Sequence, residues 1–313
     1  MTDDNGATSQ FEHVPVMREE VLHGLRVLPD GTYLDGTFGR GGHAREILAR
    51  LGLAGRLLLM DRDTAAVAAA RRDFASDARV AIRHGNFADL ADWPATAGGL
   101  DGVLLDLGVS SPQLDDAARG FSFRADAPLD MRMDTSAGIS AADFVNSASE
   151  SEITTVLFRF GEERQARRIA RAIVASRAEA PIARTLELAA LIERTIGRHE
   201  GGKHPATRSF QALRIHVNAE LEALDRGLRA AVERLKPGGR LAVISFHSLE
   251  DRAVKTFLRD ESQQPPAKRG RPPLPDVGLR LKTIGAAQFA SAEELARNPR
   301  ARSAVLRVAE RLA

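Results

Sequence analysis

The sequence of 313 residues contains no cysteine, only one tryptophan and only one tyrosine. Without cysteine the chain forms neither disulfide bonds nor thiolate metal sites, and this composition is typical of proteins in a reducing cytoplasm. No apolar run approaches the roughly 18 residues of a membrane span, which predicts a soluble protein without a membrane partner. Residues 1–10 lack the basic start and apolar stretch of a signal peptide, which also favours a cytoplasmic location.

A large excess of charge of one sign is also absent, because 44 Lys and Arg residues nearly balance 42 Asp and Glu residues. A uniformly basic surface is therefore excluded, and contact with nucleic acid requires local clusters. Six arginines lie between residues 159 and 177 against two acids, and five basic residues lie between 265 and 282 against one acid. Taken singly, each cluster is equally compatible with an ordinary solvated surface.

The first third of the chain alternates strand and helix patterns. Apolar runs predict strands at 32–35, 56–60, 80–83 and 102–105. Helical patterns precede and separate these strands, at 18–28, 43–51 and 64–74. Continuous apolar strands separated by helices are typical of a parallel sheet that is covered on both faces.

After Ser110 the alternation stops for about one hundred residues. Apolar residues at 153, 156, 157 and 160 predict one face of an amphipathic helix, and the arginine cluster follows it. We therefore predict a core in two parts, 1–114 and 216–313, separated by a mainly helical insertion at 115–215. Insertions of this kind lie at strand ends, where binding sites form.

The α/β pattern then returns with one long predicted helix from Val217 to Leu235, which Pro237-Gly238-Gly239 stops. The second part of the core continues with a fifth strand at 240–246 and a further helix at 249–259. A Pro-rich loop that we expect to be mobile follows at 265–275, and two closing strands follow at 279–284 and 303–308.

Four features lie at the ends of the predicted strands, namely Asp35, Asp61, Asn86-Phe87 and Asp106. A doubly wound sheet binds its ligands at these carboxyl ends. The turn Gly39-Arg40-Gly41-Gly42-His43-Ala44 also matches the G-x-G-x-x-A fingerprint of dinucleotide sites, although a tight turn alone accounts for such a match.

The acidic residues distinguish between possible cofactors. Asp61 lies 22 residues after Gly39, where a carboxylate meets ribose hydroxyls and repels the 2′-phosphate of NADP. Asp35 and Asp106 favour the sulfonium and ammonium groups of S-adenosylmethionine and repel the pyrophosphate of NAD. The residues therefore favour S-adenosylmethionine, with an NAD-dependent dehydrogenase as the alternative. Phe87 is a candidate for packing on adenine, although a core position accounts for it equally well.

Four sequence blocks resemble the RsmH (MraW) family of ribosomal RNA small-subunit methyltransferases H. They are Asp35-Gly-Thr-Phe-Gly-Arg-Gly-Gly-His43, Asp106-Leu-Gly-Val-Ser-Ser-Pro-Gln-Leu-Asp115, Lys203-His-Pro-Ala-Thr-Arg208 and Ser245-Phe-His-Ser-Leu-Glu-Asp251. The similarity runs in the same order from about His13 to the C-terminus, with Asn298-Pro-Arg-Ala-Arg-Ser303 near the end. It implies a class I S-adenosylmethionine-dependent methyltransferase fold, which is Rossmann-like, with a mostly parallel sheet, an antiparallel closing strand and an inserted helical subdomain.

The resemblance also implies an activity and a set of cofactor contacts. The implied enzyme methylates the N4 amine of a cytidine in the decoding region of 16S rRNA, with the small ribosomal subunit as its partner; a homodimer is also expected. The implied contacts to S-adenosylmethionine are Gly41, Gly42, His43, Asp61, Phe87, Asp106 and Gln113. His43 and Gln113 rest on the resemblance alone, whereas the other five also follow from their positions at strand ends.

Methylation of an exocyclic amine requires a hydrogen-bond acceptor for the NH2 group, because its lone pair is delocalised into the ring. Asp106 is the candidate acceptor, and Pro112 follows it by six residues. His247 is a candidate for contacting the substrate or removing a proton, although a helix cap by Ser248 explains much of its block. The aromatic candidates for stacking on the base, each also compatible with a core position, are Phe121, Phe123 and Phe246. The histidines have no metal-ligand spacing, so we expect no metal.

Basic residues in the insertion are the candidates for holding RNA through its phosphates. They are Arg164, Arg167, Arg168, Arg171, Lys203 and Arg208, together with the loop at 268–271. Two further alternatives remain at this point. One is a methyltransferase that acts on another substrate, such as DNA cytosine or an amide, and the other is a ribosome-assembly factor without catalysis.

Overall fold

The computed structural model describes residues 15–197, 204–264 and 278–313. Its strands are β1 (Thr32–Asp35), β2 (Arg56–Asp61), β3 (Val80–His84), β4 (Leu100–Asp106), β5 (Leu235–Ser245), β6 (Leu281–Thr283), β7 (Gln288–Phe289) and β8 (Val305–Arg311). Its α-helices are α1 (Arg18–Leu25), α2 (Gly42–Leu48), α3 (Thr64–Phe74), α4 (Ser111–Asp115), α5 (Ala141–Ser147), α6 (Glu150–Gly161), α7 (Ala166–Glu179), α8 (Thr185–Ile196), α9 (Thr207–Val217), α10 (Glu220–Arg234), α11 (Ser248–Ser262) and α12 (Ala292–Arg297).

The strands of the described ranges form one sheet in the order β3-β2-β1-β4-β5-β8-β6, with β7 pairing to β8. Strands β1 to β5 are parallel, and β8 runs antiparallel to β5 and to β6. The predicted fold class is therefore confirmed: the sheet is mostly parallel and Rossmann-like, with an antiparallel closing strand.

Both faces of the sheet are covered, as the continuous apolar strands predicted. In β2, Leu57 and Leu59 pack into the core on one face, while Leu58 and Met60 pack into the core on the other. Alternate residues of a strand point to opposite faces, so each residue of such a run is buried. This arrangement leaves the two ends of the parallel strands as the places where the sheet meets solvent.

A helical segment with its own apolar core connects β4 to β5. Helices α5 to α9 surround this core, and Ile153, Val156 and Leu157 are buried on the predicted apolar face of α6. Phe160 is partly buried against the same core. The domain limits at 114 and 215 stay a prediction.

The long helix predicted from Val217 to Leu235 is present as α10, which begins three residues later than predicted, at Glu220, and ends at Arg234. Helix α9 ends at Val217 and α10 begins at Glu220, and between them Ala219 adopts a left-handed conformation with φ of 46°. The Asn218 side chain stabilises this break through hydrogen bonds to Met131 and Met133 on another segment. Such long-range bonds leave no trace in the apolar periodicity.

Other predicted limits differ from the structure at their ends. The helices predicted to reach 28 and 51 end at Leu25 and Leu48. Strand β5 begins at Leu235, so Pro237-Gly238-Gly239 lies inside it, at a shift in pairing to β4. The prediction omitted β7, and the Pro-rich loop at 265–275 lies outside the described residues. Within the described ranges, none of the helices is both long and apolar enough to cross a membrane.

We predict that Asn218→Ala lowers the free energy of unfolding by about 1–3 kcal/mol, because it leaves the buried Met133 N–H without its acceptor. The Asn218 Oδ1 atom accepts this bond at 2.7 Å, and Nδ2 donates to the Met131 oxygen at 2.7 Å. Urea denaturation measures the change. The control is Ser136→Ala, in an exposed turn, with an expected change under about 0.5 kcal/mol. Equal stability of the two variants would contradict the structural role of Asn218.

Candidate functional site

The carboxyl ends of the parallel strands open into a cleft of about 680 Å³. This volume lies within the range of sites for small molecules and cofactors. Predicted site residues that line the cleft are Gly42, His43, Asp61, Phe87, Asp106, Pro112 and Gln113, together with Asp35 at the end of β1. The structure therefore brings together residues from four strand ends and from α4.

The backbone of the glycine turn after β1 forms part of the wall of the cleft. Gly39 and Gly41 have φ of 56° and 74°, a conformation that favours glycine. A Cβ atom on Gly41 would lie 2.6 Å from the Phe38 ring, so a side chain has no room there. Gly41 caps α2, and Gly42 begins that helix beside the cleft. This turn therefore lets the backbone approach a ligand closely.

Asp61 is held rigidly at the end of β2 by two backbone donors. The Gly39 N–H donates to its Oδ2 and the Asp63 N–H to its Oδ1, both at 2.8 Å. A carboxylate has about four acceptor positions, so each oxygen can still accept a hydroxyl proton. Burial raises the pKa of Asp61 to about 6, with a smaller contribution from the Asp63 charge.

Asp35 is buried at the end of β1, between β2 and β4. Its Oδ1 accepts the Thr37 N–H at 3.1 Å, and the Thr37 Oγ1 accepts the Asp106 N–H at 2.6 Å. Burial, together with a smaller contribution from the negative charge of Asp61, raises the pKa of Asp35 to about 7. Thr37, which the sequence reasoning did not single out, thus connects the ends of β1 and β4.

Asp106 and His43 face each other across the cleft, with 3.8 Å between Oδ2 and Nε2. The Asp106 Oδ1 atom and the His43 Nε2 atom are buried, and neither makes a hydrogen bond. Burial raises the pKa of Asp106 well above its usual value, with contributions from Asp35 and Glu250. Burial also lowers the pKa of His43 to about 4, so this imidazole is neutral at pH 7.

This set of groups fits a cationic ligand with ribose hydroxyls. Three carboxylates and a neutral imidazole lie in or beside one cleft, and Asp106 retains an unused acceptor there. The pKa values of the three carboxylates are raised, so a sulfonium and an ammonium would stabilise their ionised forms, whereas a pyrophosphate would be repelled by those forms. The residues therefore fit S-adenosylmethionine.

Phe87 borders the cleft next to α10. A Cβ atom on Gly227 of α10 would lie 2.3 Å from the Phe87 ring, so the ring occupies the space that glycine leaves. Phe87 also packs against the core of the sheet. The position of Phe87 is therefore compatible with both interpretations from the sequence, packing on adenine and packing in the core. Gly227 was missed, because nothing in its local sequence reveals a neighbour 140 positions away.

Gln113 lines the cleft from α4, and each end of its amide group makes one hydrogen bond inside the protein. Its Nε2 donates to the Asp63 Oδ2 at 2.8 Å, and its Oε1 accepts the Ser110 N–H at 2.8 Å. Arg119 donates to the same oxygen of Asp63 at 2.8 Å. Asp63 and Arg119 were missed, because their partners lie 50 and 56 positions away.

The block around His247 differs from the sequence interpretation. His247 itself, not Ser248, caps α11, and its Nδ1 accepts the Glu250 N–H at 3.3 Å. His247 does not line the cleft, whereas Phe246 and Glu250 do. Glu250 is buried, and its His247 and Arg214 neighbours lower its pKa although burial acts in the opposite direction. Glu250 is thus a cleft residue that the sequence reasoning missed.

The three aromatic candidates for base stacking occupy different places. Phe121 is buried in the helical core, and Phe123 packs against the same core and against His204, with ring centroids 4.7 Å apart. Phe246 is partly buried and borders the cleft. Of the three, only Phe246 is placed to meet a ligand in the cleft.

Helix α7 carries basic residues on its outer face. Its apolar residues, including Ile169 and Ile173, are buried in the helical core. The predicted RNA-binding residues of this region are exposed, namely Arg164, Arg167, Arg168 and Arg171, as is Arg208 on α9. Lys203 and the loop at 268–271 lie outside the described residues.

We predict that Asp35→Asn weakens the dependence of stability on pH between about pH 4 and pH 7. The pKa of Asp35 is about 7 in the folded chain and about 4 when unfolded, so the folded state binds more protons in this window. Its contribution to stability is therefore complete at low pH and is lost as pH rises towards 7.

Urea denaturation from pH 5 to pH 8 measures this difference. The control is Asp77→Asn, because Arg79 lowers the pKa of Asp77 to about 2, below the window. We expect a smaller loss of stability with rising pH in Asp35→Asn and an unchanged slope in Asp77→Asn. Parallel pH profiles for the parent chain and Asp35→Asn would contradict the prediction.

Comparisons with known proteins assign the family. The sequence profile described as the MraW methylase family matches residues 10–312. A relative named Ribosomal RNA small subunit methyltransferase H, from Stenotrophomonas maltophilia strain K279a, is 62% identical over 96% of this chain and 93% of its own length. The protein of the same name from Xanthomonas axonopodis pv. citri strain 306 is 59% identical over 97% and 89%, respectively.

A solved structure of an rRNA methylase from Streptococcus thermophilus resembles the chain with a TM-score of 0.42, 11% identity and 92% of each chain covered. That resemblance is coarse, and the assignment rests on the sequence matches. The profile covers nearly the whole chain, and the relatives far exceed the identity at which family membership is secure. The chain belongs to the MraW methylase family.

Proposed function

We propose that this chain transfers a methyl group from S-adenosylmethionine to the N4 amine of a cytidine in the decoding region of 16S rRNA. The observation that carries the proposal is the unpartnered Oδ1 of Asp106 in an acidic cleft at the carboxyl end of β4. The names of the relatives support methylation of small-subunit RNA. The similarity of the sequence blocks supports the N4 position.

Bound S-adenosylmethionine supplies a methyl group on a positively charged sulfur, which activates it toward a nucleophile. Asp61 is oriented by its two backbone donors to accept the ribose hydroxyls, and the Phe87 ring is available for packing on adenine. Asp35 and Asp106 complement the positive charges. Gly41 and Gly42 admit the ligand against the backbone, with His43 as a neutral neighbour. The same charges disfavour NAD, and the family is one of methylases rather than dehydrogenases.

Asp106 is the acceptor for the amine of the target base in this proposal. Its side chain is 26% exposed, so the carboxylate can accept an N–H from the NH2 group, which helps the nitrogen to pyramidalise and expose its lone pair. Phe246 borders the same part of the cleft and supplies a ring face for the base. Pro112, in the first turn of α4, shapes the opposite wall. His247 acts through Glu250, whose carboxylate it helps to hold, rather than by touching the base.

The exposed arginines of α7 and Arg208 supply the charge for holding RNA. A base reaches a cleft of this kind only when it is unpaired or flipped, so the surrounding backbone has to be held separately. Arg167 and Arg171 are four residues apart and share one face of the helix. This function predicts a cytoplasmic enzyme that meets small ribosomal subunits, and a homodimer stays a prediction.

We predict that the chain forms N4-methylcytidine in 16S rRNA when small subunits from a strain that lacks this gene are incubated with labelled S-adenosylmethionine. Digestion to nucleosides and mass spectrometry identify the product. Asp106→Asn removes the carboxylate acceptor and lowers the turnover rate by about 100-fold or more. The control is Asp92→Asn, an exposed carboxylate outside the cleft, which keeps the parental rate.

The possible outcomes separate the alternatives. A different methylated nucleoside would contradict the N4 assignment while leaving methyl transfer to RNA intact. Binding of S-adenosylmethionine without transfer to any subunit would favour an assembly factor or another substrate, to be tested on DNA and protein. Full activity of Asp106→Asn would remove Asp106 from the chemistry.

We also predict that Arg167→Ala/Arg171→Ala weakens binding of small subunits without changing the affinity for S-adenosylhomocysteine. If both side chains contact phosphates, the slope of log affinity against log salt concentration falls by about 2. Filter binding at several salt concentrations measures it. The matched control is Arg50→Ala/Arg56→Ala, two exposed arginines that do not line the cleft. Equal salt slopes for the two double variants would contradict a role of α7 in RNA binding.

A further inference from the structure

A closed circuit of hydrogen bonds joins the cofactor side of the cleft to the helical segment. It begins at Asp63, whose N–H fixes the Asp61 carboxylate and whose own Oδ2 accepts bonds from Gln113 and Arg119, each at 2.8 Å. Asp63 is buried, and a buried carboxylate oxygen requires hydrogen-bond donors, which Gln113 and Arg119 supply. One carboxylate oxygen therefore sets the positions of a cleft residue and of Arg119 together.

Arg119 continues the circuit to the loop that precedes α5. Its Nη1 donates to Asp63, while its Nη2 donates to the Met133 oxygen at 2.8 Å and to the Arg132 oxygen at 3.1 Å. The planar guanidinium thus spans two segments at a fixed angle, which the single ammonium of a lysine cannot do. Met133 itself lines the cleft.

The circuit closes through Asn218, between α9 and α10. The Met133 N–H donates to the Asn218 Oδ1 at 2.7 Å, and the Asn218 backbone oxygen accepts a bond from the Arg62 guanidinium at 2.7 Å. Arg62 lies between Asp61 and Asp63, where the circuit began. Every connection in this ring is 2.7–3.1 Å long, within the range of direct hydrogen bonds.

We propose that Arg119 is a positioning residue that couples occupation of the cofactor cleft to the loop at 119–133 and thereby to the RNA-binding helical segment. A ligand that settles against Asp61 and Gln113 fixes Asp63, and Asp63 fixes Arg119. The loop is then held more firmly before RNA binds, so RNA binding costs less ordering entropy. The inference rests on the proposed function for its RNA partner, but the coupling to the loop does not.

Hydrogen–deuterium exchange with and without saturating S-adenosylhomocysteine tests the coupling on the full chain. In the parent chain, we expect the ligand to slow exchange both in the glycine turn at 39–43 and, by about fivefold or more, in the loop at 119–133. In Arg119→Met, protection of the glycine turn remains and the ratio of loop exchange rates with and without ligand falls to about 1. A purely structural role would raise loop exchange in both states and leave that ratio unchanged.

Two further variants sharpen the test. Asp63→Asn keeps the cap on α3, because its Oδ1 still accepts the Ala65 N–H, but it replaces the oxygen that binds Gln113 and Arg119; it should also lose the coupling. Arg132→Met is the matched control, because Arg132 lies in the same loop and its side chain pairs with Asp130. Arg132→Met should retain the parental ratio. A parent chain whose loop is not protected, or an Arg119→Met chain whose loop still is, overturns the proposal.

Binding of small subunits gives an independent second arm. Saturating S-adenosylhomocysteine should tighten subunit binding by about fivefold or more in the parent chain and not in Arg119→Met. Loop protection without any subunit binding would contradict the proposed function and leave the coupling intact. Subunit binding that the ligand does not alter would overturn the extension of the coupling to RNA.

Discussion

The site depends on the concentration of three carboxylates at the carboxyl edge of the parallel sheet. Asp35 lies opposite Leu59 of β2 and Leu104 of β4, so Asp61 and Asp106 follow two residues further along the flanking strands. Burial and mutual repulsion oppose ionisation of this group, as the raised pKa values of all three residues indicate. Backbone N–H donors offset part of this cost, and a cationic ligand would offset more of it.

Much of this edge could be predicted from the sequence because its determinants are local. Each of β1, β2 and β4 is an apolar run that ends in an aspartate, and parallel pairing brings such ends together. The glycine turn could be recognised because the backbone approach to a ligand excludes side chains. Family resemblance then added His43 and Gln113, neither of which lies at the end of a strand.

The parts that could not be predicted depend on contacts between distant segments. The break between α9 and α10 follows from bonds between Asn218 and a loop about 85 positions earlier, not from the apolar pattern of the helices. The space for Phe87 is provided by Gly227 in the same way. Similarly, the cap of α11 is His247 rather than the expected Ser248, because the helix begins one residue earlier than its apolar pattern indicates.

The place of the helical segment in the topology explains why it affects the cleft at all. It leaves the sheet at the end of β4 and returns through α10, which precedes the parallel strand β5, so both of its connections border the cleft. Asp106 precedes the first connection, and Glu220 and Leu224, which also line the cleft, follow the second. Because α7 packs into the same core as α6 and α9, its exposed arginines belong to a body whose two attachments form cleft walls. The Asp63–Arg119–Asn218 circuit connects the cleft to this same helical segment, which also carries the exposed arginines that we propose hold RNA.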